Sequence, residues 1–184
     1  MMESDEALAR QLQQGDPAAL DALVERYHAP LFGYLFRLTG GDRALAQEMT
    51  QEAFLRALRG IRGYHPSRPF KPWLYAIATH LARDHAARAD TRRVVPLADD
   101  TDLAADDPAP DADLIASERA AAVRAALAAL PPHQREVILL CFYEGLPIRA
   151  IADALHIPIG TVKSRLSLGM ARLRERMHSD EQEG

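Results

Sequence analysis

Seven histidines (His28, His65, His80, His85, His133, His156 and His178) and one cysteine, Cys141, are the side chains best suited to catalysis or metal binding in this 184-residue chain. None of the histidines forms a His-Glu-x-x-His pair or another compact ligand set, so no metal and no cofactor are called for. His80 and Asp84 stand four apart and can pair across one helical turn, which reads as a surface hydrogen bond. Cys141 lies in Val137-Ile138-Leu139-Leu140-Cys141-Phe142, apolar all round, and reads as a core thiol rather than a nucleophile. A single cysteine also excludes a disulfide framework and a cysteine-based zinc site.

Nucleic-acid chemistry is better represented. The segment Gly60-Ile61-Arg62-Gly63-Tyr64-His65-Pro66-Ser67-Arg68-Pro69-Phe70-Lys71 interleaves Arg62, His65, Arg68 and Lys71 with two aromatic rings. It runs into Pro72-Trp73-Leu74-Tyr75-Ala76-Ile77-Ala78-Thr79-His80-Leu81-Ala82-Arg83. At helical spacing Leu74, Ile77, Ala78 and Leu81 make a core stripe, and Tyr75, Ala76, Thr79, His80 and Arg83 lie opposite, flanked by Trp73. Aromatic rings can stack on unpaired bases for about 1–3 kcal/mol each. The competing reading buries Trp73 and Tyr75 at a helix start. A second such surface lies near the C-terminus. Pro147-Ile148-Arg149-Ala150-Ile151-Ala152-Asp153-Ala154-Leu155 and Gly160-Thr161-Val162-Lys163-Ser164-Arg165-Leu166, joined by His156-Ile157-Pro158-Ile159, fit a helix-turn-helix. Val162, Leu166, Gly169, Met170, Leu173 and Met177 share one face of the last helix. Lys163, Ser164, Arg165, Ser167 and Leu168 point elsewhere, toward phosphates and base edges. His156 sits in the turn, where glycine more easily takes a positive φ.

The elements that must position these groups are all helical. Apolar residues are 48% and charged ones 26% of the chain, and 33 residues are alanine, the best helix former. Ser4 and Gly15 bound a short helix. Asp16-Pro17 opens a long one that Gly40-Gly41 stops. Asp42 caps a third helix to about Arg59, and a fourth runs from about Pro72 to Ala89. In the second half, helices are predicted over about 113–130, from Pro132 to about Glu144, over Pro147–Leu155 and over Gly160–His178. On the third helix Leu45, Met49, Ala53, Phe54 and Leu58 form an apolar arc, while Leu55 projects among Glu48, Gln51, Glu52 and Arg59, which suggests a protein contact. The net charge of −4 is segregated: 1–92 and 117–184 each carry +1, whereas 93–116 carries −6 with seven aspartates and three prolines. The fold class is therefore all-α: two small helical domains of four helices each, 1–92 and 117–184, joined by an acidic linker, 93–116. Fully extended, that linker reaches at most about 80 Å; as a flexible coil it averages about 27 Å. No run of 18 apolar residues is present, so no membrane insertion is expected. The acidic start is no secretory signal, and a cytoplasmic location follows.

Three strings taken together resemble bacterial RNA polymerase sigma factors of the extracytoplasmic-function (ECF) type. They are Asp42-Arg43-Ala44-Leu45-Ala46-Gln47-Glu48-Met49-Thr50-Gln51-Glu52-Ala53-Phe54, then Phe70-Lys71-Pro72-Trp73-Leu74-Tyr75-Ala76-Ile77-Ala78, and Glu144-Gly145-Leu146 through Arg165-Leu166. The resemblance implies a transcription initiation factor, not an enzyme, whose partners are core RNA polymerase (the β′ clamp helices and the β subunit), promoter DNA and an anti-sigma factor. It gives Gln47, Glu48, Gln51, Glu52 and Leu55 to polymerase binding. It gives Arg62, Arg68, Phe70, Lys71, Trp73, Tyr75, Thr79, His80 and Arg83 to recognition and opening of the −10 element. It gives Thr161, Lys163, Ser164, Arg165, Ser167, Leu168 and Arg172 to the −35 element. The chain departs from the family at Thr79-His80, at His156 and at Leu168-Gly169-Met170. On the residues alone two other readings stay open: a stand-alone regulator using only the helix-turn-helix, and an enzyme.

Overall fold

The computed structural model describes residues 3–93 and 114–183, and most of the acidic linker lies outside the described residues. Helix α1 spans Asp5–Gln13, α2 Pro17–Leu38, α3 Arg43–Gly60 and α4 Phe70–Arg93. The second half holds α5 Leu114–Ala128, α6 Pro132–Ile138, α7 Ile148–Leu155 and α8 Ile159–Glu183. Among the described residues there is no strand.

Local chemistry sets most of the boundaries. The Ser4, Asp16 and Asp42 side chains accept from the backbone N–H groups of Ala7, Ala18 and Leu45 at the helix starts, which satisfies donors that no helical carbonyl reaches. Gly40 and Gly41, at φ +78° and +98°, turn the chain out of α2. Helix α4 begins earlier than proline placement predicts, at Phe70, because the Glu6 carboxylate of α1 accepts from the Phe70 N–H at 3.2 Å. The predicted helix from Pro132 to about Glu144 is regular only to Ile138; Leu139–Tyr143 widens into a π turn. The Glu144 N–H reaches back five residues to the Leu139 carbonyl at 3.1 Å. The added residue turns Phe142 out of the core, where it is 61% exposed, and Cys141 is half-buried. The expected all-core strip over 137–142 therefore holds only for Val137 to Leu140.

Packing follows from side-chain size. The stripe Leu23, Tyr27, Leu31, Tyr34, Leu35 and Leu38 buries one face of α2, and Ala46, Ala53 and Ala57 let α3 approach closely. In the second half Leu127, Leu130, Val137 through Leu140, Leu146, Ile151, Leu155 and Val162 are buried together. The two cores join into one cluster, with α4 against α7 and α2 against the π turn and α6. Helix α8 crosses α6 at Gly169, where a Cβ falls 2.6 Å from Ile138 Cδ1 and 3.3 Å from Gln134 Cβ. This crossing explains the glycine in the Leu168-Gly169-Met170 departure. Replacing Gly169 by Val forces these helices apart, and a loss of about 2–3 kcal/mol of stability is expected in urea unfolding.

Candidate functional site

On α3 the residues singled out for a protein contact do share a surface. Gln47, Glu48, Gln51 and Leu55 are exposed, Leu55 by 47%. Glu48, Gln51, Glu52 and Leu55 border a groove of about 340 Å³ that continues onto α4 through Leu81, His85 and Arg88, and Gln47 lies outside it. Neither His85 nor Arg88 was expected there, since the α4 pattern does not show which helix it packs beside. Arg56 Nε donates to Glu52 Oε1 at 2.8 Å and holds that carboxyl below its ordinary value. Leu58, placed on the apolar arc, is 39% exposed and extends the apolar surface.

The loop ahead of α4 is held by α1, a role no sequence pattern signals. Gln13 Nε2 donates to the carbonyls of Ile61 at 2.8 Å and Tyr64 at 2.6 Å. Phe70 is 3% exposed, with its ring 5.7 Å from those of Tyr27 and Tyr64 and 5.5 Å from that of Trp73. Phe70 thus anchors the loop and is no surface contact. Trp73 is half-buried, 5.0 Å from Tyr64, and Arg62 and Arg68 are exposed beside it.

The expected nucleic-acid face of α4 is largely covered. Tyr75 and Thr79 have no exposed surface. The Tyr34 hydroxyl and Thr79 Oγ1 are 2.7 Å apart, Thr79 Oγ1 donates to the Tyr75 carbonyl at 2.7 Å, and the Tyr34 and Tyr75 rings meet edge-on at 5.2 Å. Assigning Tyr75 and Thr79 to open surface is therefore corrected: α4 is enclosed by α2 and α3 and, through α7, by the second domain. Among the described residues the Tyr75 hydroxyl is enclosed and meets no partner in good hydrogen-bonding geometry. Burial and then the Glu144 carboxylate push its pKa above the ordinary phenol value.

The remaining polar groups of this face are occupied by the second domain. Arg83 Nε lies 3.1 and 3.0 Å from the Glu136 carboxylate oxygens, with a further bond from Nη2. Glu136 raises the Arg83 pKa, and its side chain is only 3% exposed. Lys71 Nζ donates to the Glu144 carbonyl at 2.7 Å and lies 3.3 Å from its carboxylate. The His80 and His156 rings stack at 6.0 Å, and the Arg37 guanidinium lies 4.7 Å over the Tyr143 ring. Arg135 donates to the carbonyls of Leu38 and Leu127 at 2.8 Å each, to Leu130 at 3.0 Å and to Ala128. One side chain thereby satisfies the C-terminal carbonyls of two helices from different domains. Glu136 and Arg135 carry no motif, and only the tertiary contact reveals them and the partner of Glu144.

The helix-turn-helix forms as the spacing predicts. His156 takes φ 54°, ψ 45°, and the Ile157 N–H returns to the Ala152 carbonyl at 3.0 Å, a Schellman ending that satisfies the last carbonyls of α7. On α8, Lys163, Ser164, Ser167, Leu168 and Arg172 are exposed and Thr161 and Arg165 half-exposed. Ser164 Oγ donates to the Thr161 carbonyl at 3.0 Å, and Arg172 Nη1 donates to Gln134 Oε1 at 3.0 Å. Among the described residues no cluster of three or more His, Cys, Asp or Glu side chains could hold a metal ion, and no helix is long and apolar enough to cross a membrane. Burial raises the Cys141 pKa, which disfavours the thiolate.

The family described as Sigma-70 region 2 matches residues 23–92, and Sigma-70, region 4 matches 120–173. The ECF RNA polymerase sigma factor SigE of Mycolicibacterium smegmatis is 36% identical over 173 residues, covering 91% of this chain and 66% of that protein. The RNA polymerase sigma-H factor of Pseudomonas aeruginosa is 30% identical over 177 residues, covering 89% of each. Among solved structures, CnrH in complex with the cytosolic domain of CnrY superposes with a TM-score of 0.71 at 24% identity, covering 97% of this chain and 99% of that one. The sigma factor RpoE of Bartonella quintana, in complex with the anti-sigma factor NepR, gives 0.64 at 21%, covering 87% and 97%. These two likenesses establish the fold. The chain is a sigma-70-type factor, a promoter-recognition protein of transcription initiation. More narrowly, it belongs to the ECF family of RNA polymerase sigma factors.

Because the Tyr75 hydroxyl has no bonded partner to lose, Tyr75→Phe is expected to leave stability within about 1 kcal/mol or to raise it. A loss above about 2 kcal/mol in denaturant titration would reveal a hydroxyl bond to Glu144. Removing Arg135, whose guanidinium serves four carbonyls, has the opposite effect. Arg135→Ala is expected to lower stability by about 2–4 kcal/mol in the same titration.

Proposed function

We propose a division of labour among three surfaces. Helix α3, through Gln47, Glu48, Gln51, Glu52 and Leu55, docks on the β′ clamp helices of core polymerase. The first domain, 1–92, takes the −10 element through Arg62, Arg68, Lys71, Trp73, His80 and Arg83, with Phe70, Tyr75 and Thr79 shaping that surface from beneath. The second domain, 117–184, contacts the β subunit and lays the start of α8 on the −35 element through Thr161, Lys163, Ser164, Arg165, Ser167, Leu168 and Arg172. The linker, 93–116, joins the two and crosses the polymerase. An anti-sigma protein is the inhibitory partner, and the protein works in the cytoplasm without acting as an enzyme.

The observation that carries this reading is the exposure of two separate cationic surfaces, at Arg62 and Arg68 and at Lys163 and Arg172, one in each region matched by the family. Opening DNA needs no catalytic group. It needs a surface that binds unpaired bases better than paired ones, since only differential affinity shifts a population. A base-pair step is worth about 1.4 kcal/mol, so a few stacked bases together with polymerase contacts offset a short bubble. The partner reading has support in two solved relatives, CnrH held by the cytosolic domain of CnrY and RpoE held by an anti-sigma factor.

Core polymerase mixed with this protein is expected to start transcripts at discrete promoters, read by sequencing 5′ ends on genomic DNA. Leu55→Asp puts a charge in the α3 contact and is expected to weaken polymerase binding at least tenfold. Lys163→Ala is expected to weaken promoter binding about evenly across −35 sequences and to shallow its salt dependence by about one counterion. Wild-type polymerase affinity in Leu55→Asp would remove α3 from the proposal.

A further inference from the structure

The two domains meet over α4, and histidines stand face to face at that boundary. The His80 and His156 rings are stacked, 8° from parallel with centroids 6.0 Å apart. Arg83 lies on the same face of α4, one turn on, and both oxygens of its Glu136 partner are already engaged. Asp84, the other carboxylate near His80, is exposed on α4 and lies 3.7 Å from Arg56 of α3. From α2 the neighbouring group is the neutral Tyr34 hydroxyl, bonded to Thr79. The charged groups facing His80 are thus Arg83 and Asp84 from α4, Glu136 from α6 and the titratable His156 at the end of α7. Both carboxylates there, Glu136 and Asp84, already lie beside arginines, Arg83 and Arg56.

The geometry points to a proton-operated latch: the domains stay closed over α4 while the half-buried His80 imidazole, stacked on the ring of His156, is neutral, and part when it takes up a proton. The latch concerns the contact between the domains. Its consequence, release of Lys71, His80 and Arg83 for promoter DNA, rests on the function proposed above.

The sign follows from linkage. Burial, then Arg83 and then His156 hold His80 below its ordinary value of 6.5 in the closed arrangement. Once the domains part, solvent returns and the ring regains its ordinary affinity for protons. Closure is therefore complete above the ordinary histidine range and is lost as pH falls through it. With His80 neutral in the closed state, the closed-to-open ratio falls by up to about tenfold between pH 7.5 and 5.5.

Single-molecule energy transfer tests the latch on the full chain. Dyes are placed at the exposed positions Arg10→Cys and Arg174→Cys, with Cys141→Ser. The fraction of closed molecules is read from pH 7.5 to 5.5, and far-UV circular dichroism reports helicity at each pH. The closed-to-open ratio is expected to fall severalfold, up to about tenfold. In His80→Gln/His156→Gly, whose glycine suits the left-handed turn, the ratio is expected to change less than twofold, whatever its starting value. His156→Gly alone is expected to retain part of the slope. A wild-type ratio constant across this range, or an equal fall in the double variant, overturns the latch. Neither result bears on promoter-directed transcription, which is measured separately.

Discussion

A carboxylate as enclosed as that of Glu136, with 3% of its side chain in solvent, is stable as an ion only beside a fixed counter-charge. Arg83 supplies that charge, and it comes from the other domain. The pair brings α6 onto α4, and the other cross-domain contacts gather around it. Lys71 meets Glu144 at one end of α4, and Arg135 reaches the end of α2. Each removes an orphaned polar group from the boundary, so the buried cores of the two domains run together without an unsatisfied charge between them.

That closure sorts the candidate surfaces. The α3 groove with Leu55, the exposed arginines of the loop before α4 and the start of α8 all remain open to solvent. Lys71, His80 and Arg83 are instead held by residues of the second domain. In the proposed function, surfaces that become available at different stages suit a factor that meets polymerase and promoter DNA in turn. The contacts that cover α4 are polar at their edges, which suits a boundary that opens more readily than a wholly apolar one.

Much of this was legible before any coordinates. Capping side chains at Ser4, Asp16 and Asp42 and the glycines at 40 and 41 act within a few residues, so helix starts and stops could be read locally. The helix-turn-helix was equally plain, because its turn and core spacing lie within twenty residues. Leu55 stood out because one apolar side chain among acids breaks a helical pattern. The reading of Tyr75 and Thr79 failed for a physical reason. Polar atoms on the second face of α4 suggested solvent, yet Tyr34 satisfies Thr79 from α2, and periodicity along one helix carries no information about hydroxyls on another. Phe70 misled in the same way, since an aromatic ring beside cations serves as well for an anchor as for a stacking surface.

By itself the sequence determined the helices, the division into two halves around an acidic segment, the turn held by His156 and the family to which the three strings belong. All of these rest on interactions between near neighbours or on matches of residue type along the chain. Only the tertiary structure decided that both sides of α4 are covered, that Gly169 marks a helix crossing, that Gln13 and Glu6 hold the loop, and that His80 faces His156. Those outcomes depend on which surfaces meet across dozens of residues, and a buried charge or an enclosed hydroxyl acquires its partner only when they do.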